Sequence, residues 1–237
     1  MALDLSVDAV LFDKDGTLFD FSATWDVFAA RLIARLSDGD ASRAARAADV
    51  LRFDLEAGRF LPDSPAIAGT NREIAALLAW VLPQDAAALE RIIVEEAGRA
   101  PLVEAVPLVP LLAELAARGL MLGVMTNDTE SVARAHLAEV GILGQFDFVA
   151  GADSGWGAKP SPDPLLAFAE RMRVPPARVA MVGDSTHDLL AGRAAGMVCV
   201  GVLTGMAGPE VLGPHAEAVL PDVGHLPGWL DGRATRG

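Results

Sequence analysis

A chain of 237 residues is long enough to bury a sizeable core, as one large domain or as a domain carrying an insertion. Its formal net charge of −13 repels phosphate backbones and anionic lipid, and no local basic patch offsets it, which excludes nucleic acid and membrane surfaces as partners. The single cysteine, Cys199, sits in the apolar run Met197 to Val200 and has no internal disulfide partner, which suits a reducing compartment.

The acidic N-terminus, Met1 to Leu5, lacks a basic region followed by an apolar one. No later apolar stretch approaches a membrane-spanning length without charge or proline. A soluble, cytoplasmic protein is the expectation. In chain order, an apolar run predicts a first strand over Val7 to Phe12. Roughly a hundred residues without a convincing strand follow, far more than an ordinary crossover. Within them helices are predicted over Ala23 to Leu36, Ala41 to Ala57, Asn71 to Val81 and Asp85 to Arg99, a pattern that reads as a compact all-helical insertion. Its stems would be Phe19 to Phe21 and the proline-bearing segment Ala100 to Pro110.

Beyond the stems, strands and helices alternate. Strands are predicted over Leu120 to Thr126, Phe146 to Ala150, Val179 to Val182, Met197 to Leu203 and Ala216 to Leu220. Helices are predicted over Val109 to Arg118, Glu130 to Val140, Asp163 to Met172 and Ser185 to Ala195, with Gly119, Gly141 and Gly196 at the expected C-terminal caps. The alternation argues for an α/β protein with a Rossmann-like parallel sheet and helices on both faces. The expected division is a core of residues 1–18 and 106–237 and a helical cap of residues 19–105.

Four polar segments each follow an apolar run: Asp13-Lys14-Asp15-Gly16-Thr17, Thr126-Asn127, Lys159-Pro160 and Gly183-Asp184-Ser185-Thr186-His187-Asp188. A strand that ends in acid is locally inconsistent, and such inconsistency is expected at functional sites. If the first strand persists, alternation places Asp13 and Asp15 on one side, able to face one hard cation. In an open parallel sheet, ligands bind beyond the carboxyl ends of the strands, where all four segments fall. Lys14 and Lys159 are the only lysines among 19 basic residues, and both lie inside these segments. A need for a compact ammonium in place of a planar guanidinium would explain that placement.

In order and spacing, the four segments resemble the four motifs of the haloacid-dehalogenase-like hydrolases, and the overall layout is similar to their phosphoglycolate-phosphatase-like branch. The resemblance implies a phosphatase acting through an aspartyl phosphate. Asp13 is then the nucleophile, and Asp15 protonates the leaving oxygen and afterwards activates water. Lys159 neutralises nucleophile and phosphate, while Thr126 and the Asn127 backbone amide hold phosphate oxygens. It further implies Mg²⁺ on Asp13, Asp184 and the Asp15 backbone carbonyl, with Asp188 orienting waters or Lys159. The acid at position 15 disfavours carbon–halogen and carbon–phosphorus cleavage, which members lacking it perform.

The implied partner is a small phosphorylated metabolite, 2-phosphoglycolate by family analogy, handled by a monomer or homodimer. The alternatives are a sugar phosphomutase using the same core residues and a catalytically silent binding protein on this scaffold. Lys14 departs from the family, which most often has a large apolar residue there. Alternation would turn it away as a surface or packing residue, whereas a turn would let it reach a distal substrate anion or pair with an acid. In the cap, Arg59 and the loop Phe60 to Thr70 are candidates for contacting the organic part of the substrate. The Leu77, Leu78, Val81 stripe reads as core. Trp156 either shapes the entrance or packs on the core, His187 opens a helix with its ring solvated, and His136, His215 and His225 carry no partner pattern.

Overall fold

The computed structural model describes residues 6–234. Strand β1 (Ala9–Phe12) is buried along its whole length, as its unbroken apolar sequence requires of a strand covered on both faces. The chain then leaves the sheet for helices α1 (Phe21–Ser37) and α2 (Ala41–Leu51). Two short strands follow, β2 (Phe53–Asp54) and β3 (Arg59–Phe60), then helices α3 (Asn71–Leu78) and α4 (Ala86–Ala97). Asp20, Asp40, Thr70 and Asp85 cap these four helices, each accepting backbone N–H groups of the first turn.

The insertion therefore carries one antiparallel ribbon that the helical periodicity conceals, and α2 is shorter than expected. Arg52 takes a left-handed conformation with φ 53°, which ends the helix. The Asp54 carboxylate then accepts the N–H groups of Glu56 and Ala57, closing a turn that brings Phe60 against Phe53 with ring centroids 5.3 Å apart. The two stems lie side by side: Asp20 N–H donates to Val103 O at 2.8 Å and Ala105 N–H to Leu18 O at 2.9 Å.

After the stems come α5 (Leu108–Ala117), β4 (Met121–Met125), α6 (Glu130–Glu139), β5 (Phe148–Ala150) and α7 (Asp163–Met172). Then follow β6 (Val179–Gly183), α8 (Thr186–Ala194), β7 (Val198–Val202), α9 (Pro209–Leu212), β8 (Ala218–Leu220) and α10 (Leu226–Ala234). Gly119, Gly141 and Gly196 take φ values of 75–80° just past α5, α6 and α8, as their capping positions predict.

The main sheet has six strands in the order β5-β4-β1-β6-β7-β8, and every pairing in it is parallel. Because β1 lies between β4 and β6, the chain winds first to one side and later to the other. The ends of these three strands thus form the crevice of a doubly wound sheet. Apolar residues of β1, β4, β6 and β7 form one core with α5 and α6, and the cap buries a second around α1 to α4. No helix among the described residues is long and apolar enough to cross a membrane.

Candidate active site

The chain turns immediately after β1. Asp13 N–H still donates to Val182 O at 2.8 Å, but the next residues close a turn in which Leu18 and Phe19 N–H reach Lys14 O. Alternation consequently stops at Phe12, and the two acids of the first segment part. The Asp13 carboxylate points into the crevice, where its oxygen and one each from Asp184 and Asp188 lie within 4.8 Å of one another. The Asp15 carboxylate instead receives the Lys14 ammonium, 2.9 Å from each of its oxygens.

Lys159 enters the crevice from the loop after β5. Its Nζ donates to Asp13 Oδ1 at 2.5 Å, Asp188 Oδ1 at 2.7 Å and Met125 O at 2.9 Å, so all three of its protons are committed. Asp188 accepts the Ser185 N–H and hydroxyl on its other oxygen and so also caps α8. Asp184 fits closely between two glycines, since a Cβ at Gly16 or Gly205 would run into its carboxylate. Gly16 also has φ 83°, a conformation that side chains disfavour.

Three buried carboxylates share one ammonium. Burial pushes the Asp13 carboxyl up to about 7, against the pull of Lys159 and with the push of Asp188 and Asp15. Asp184 is raised well above the carboxylate range by burial and by the Asp13 and Asp188 charges. Lys159 is held above its ordinary value because those carboxylates outweigh the burial that would lower it. An all-oxygen set carrying excess negative charge fits a hard divalent cation such as Mg²⁺. Among the described residues, Asp13, Asp184 and Asp188 form the group of acids able to hold one.

Thr126 ends the β4 side of the crevice; its hydroxyl accepts the Asp128 N–H at 3.1 Å and keeps its proton for another acceptor. The Asn127 side chain is fully used. Its amide nitrogen donates to Ala68 O and Lys159 O, and its oxygen accepts the Lys159 N–H, tying the Lys159 loop to the cap. His187, near the start of α8, lines the cavity over the crevice together with these residues. The loop at 66–69 lines it as well, whereas Arg59 and Trp156 do not. Trp156 stacks on Phe148, with centroids 5.5 Å apart.

Lys14 is neither a surface residue nor a substrate contact: it is fully buried. Beyond Asp15 its ammonium reaches Asp128 Oδ2 at 3.4 Å and His136 Nδ1 at 3.0 Å, and it lies 5.5 Å from the centroid of the Trp25 ring. Burial would lower its pKa, but Asp15 and Asp128 hold it above the ordinary lysine value. His136 Nε2 lies 2.9 Å from Ala97 O, so Nε2 carries the proton and Nδ1 accepts from Lys14. Burial and the Lys14 charge push His136 down to about 4. Asp128 also receives Asn71 Nδ2 at 2.7 Å, which makes this cluster a second tie between core and cap.

A strand-end crevice with buried carboxylates, a lysine and a hydroxyl, beneath an inserted and mainly helical segment, defines a doubly wound α/β protein with a candidate active site at its strand ends. The haloacid dehalogenase-like hydrolase family model matches residues 7–196, and the chain belongs to that family. A phosphoglycolate phosphatase of Neisseria meningitidis is 40% identical over 118 residues, which are 49% of this chain and 50% of that protein. The alignment therefore spans about half the length of the curated relative. A haloacid dehalogenase-like hydrolase structure from Bacteroides fragilis superposes with TM-score 0.73 at 21% identity, covering 93% of this chain and all of that one. A HAD family hydrolase of Deinococcus radiodurans with bound phosphate and sodium does so with TM-score 0.67 at 22% identity, covering 97% of each.

Proposed function

We propose that this protein is a Mg²⁺-dependent phosphomonoesterase that works through a phosphorylated Asp13, with residues 19–105 acting as its cap. The observation that carries the reading is the buried cluster of Asp13, Asp184 and Asp188 around the Lys159 ammonium at the strand ends. The phosphoglycolate phosphatase name of the curated relatives agrees with it.

In this reading the Asp13 oxygen not held by Lys159 bonds to phosphorus as the ester P–O bond breaks. Lys159, through its contact with Oδ1, favours the ionised form of the nucleophile against the burial that opposes it. Asp15 gives its proton to the leaving oxygen, and the alcohol departs. Water then attacks the phosphorus of the acyl phosphate and returns a proton to Asp15, freeing the Asp13 carboxylate and inorganic phosphate. The Thr126 hydroxyl and the Asn127 backbone amide hold phosphoryl oxygens, which concentrates donors where charge gathers. Asp13 and Asp184, with the Asp15 carbonyl, would hold Mg²⁺, while Asp188 holds Lys159 in place; the ion supplies charge neutralisation for the phosphoryl group.

The test is phosphate release from a panel of small phosphate esters, with 2-phosphoglycolate as the reference ester and hexose phosphates included, in Mg²⁺ and in chelator. Mg²⁺-dependent release is the expected result. Isomerisation of a sugar phosphate without net release would identify a phosphomutase. Metal binding without any turnover would identify a silent binding protein.

A further inference from the structure

The cavity that opens on the carboxylate cluster turns apolar as it enters the cap. There Phe21, Trp25, Phe28, Leu32, Phe60 and Ile74 line it, and all but Trp25 are buried. Of the five carboxylates in the lining, Asp13, Asp184 and Asp188 crowd the Lys159 ammonium, whose protons are already committed, while Asp15 and Asp128 pair with Lys14 behind the wall. No arginine lines this cavity or the wider groove beside it among the described residues. Lys14 lies behind Asp15 and does not reach the cavity surface. His187, at the core end, is the other lining group able to carry positive charge.

We infer that the ester selected by this site has an uncharged, predominantly apolar leaving alcohol of the benzyl or branched-alkyl kind; this rests on the phosphatase reading. An apolar group that follows the phosphate into the cap leaves water for matching apolar surface. A carboxylate such as that of glycolate would enter the apolar cap lining as a second anion, away from the strand-end cation that the phosphate takes and with no arginine or lysine in the cap wall to meet it, and would be buried unpaired. Such an alcohol differs from the glycolate that the family resemblance implies.

Benzyl phosphate and 3-methylbutyl phosphate, compared with 2-phosphoglycolate and ethyl phosphate in Mg²⁺, should show kcat/KM higher by roughly tenfold or more. A value for 2-phosphoglycolate equal to or above theirs overturns the inference. Calorimetric titration of the Mg²⁺-loaded protein with benzylphosphonate and with phosphonoacetate reads the same preference without turnover. Tighter benzylphosphonate binding by roughly tenfold supports the inference, and tighter phosphonoacetate binding overturns it. Should no ester be hydrolysed, the phosphatase reading fails while the binding result still decides the preference. Phe28→Ala should lower kcat/KM for benzyl phosphate roughly tenfold more than for ethyl phosphate. Equal losses on both esters, repeated with Ile74→Ala, would count against it.

Discussion

The two lysines of this chain head two buried clusters that are built to opposite ends. Around Lys159, three carboxylates crowd one ammonium and face the cavity, so acceptors outnumber donors and Asp13 and Asp184 are raised. Around Lys14, each Asp128 oxygen has its own donor, Asp15 is held through both oxygens, and a neutral histidine takes the remaining contact. The first cluster has more acceptors than donors, as the proposed cation and phosphate would require. The second has its acceptors partnered within the protein; it holds Asp15, which also lines the cavity, in place and ties it to α6 and, through Ala97 and Asn71, to the cap. A buried polar group left short of partners marks a place for a ligand, whereas a satisfied one specifies structure.

The largest effect that separates the clusters is on turnover. Asp13→Asn should lower phosphate release by roughly a thousandfold or more, as loss of a nucleophile does. The same change should raise the melting temperature of the metal-free protein, because it removes one of three crowded charges. A fall in that temperature would place Asp13 among the stabilising groups.

Lys14→Met should act the other way. It leaves Asp15 and Asp128 without their shared cation and costs about 3–5 kcal/mol in chemical denaturation, with or without Mg²⁺. Lys159→Met also strands buried carboxylates, but there added Mg²⁺ should recover part of the loss. Equal Mg²⁺ responses in the two variants would erase the distinction between the clusters.

The smallest effect is on pH dependence. His136 is held neutral, with its folded pKa of about 4 below the ordinary 6.5, so its contribution is present above pH 6.5 and is lost as pH falls towards 4. Over that window the wild-type protein should lose stability faster than His136→Gln, by up to about 1.4 kcal/mol per pH unit. Parallel curves in denaturant titrations would mean that His136 is not buried in the neutral form.

The Asp13 and Asp184 members of the Lys159 cluster could be read from the sequence because each interrupts an apolar strand run at its end, a conflict visible locally; Lys159 and Asp188, in the loop after β5 and in α8, were legible through the resemblance of their segments to the family motifs. The six main-sheet strands were legible for a related reason: their apolar runs are bounded by glycines and acids. The Lys14 cluster was not legible, because its partners Asp128 and His136 lie 114 and 122 residues away. Asp128 directly follows Thr126-Asn127, which was a usable hint. His136 sits on the buried face of α6 and gave none. The β2–β3 ribbon was missed because two-residue strands fall below any periodic signal, and only Gly58 and the Asp54 turn announce it. Of the Leu77, Leu78, Val81 stripe that reads as core, Leu78 is buried whereas Leu77 is exposed beside the wider groove; which side of a helix is covered is a property of packing, not of pattern.

The central claim is that Asp13 carries the phosphoryl group. It is tested most directly by acid-quenching the protein during turnover of a phosphate ester in Mg²⁺ and locating phosphate by peptide mass spectrometry. The account predicts an acyl phosphate on Asp13 in the wild-type protein and none in Asp13→Asn. Phosphate released while Asp13 stays unmodified and another residue is phosphorylated would contradict it.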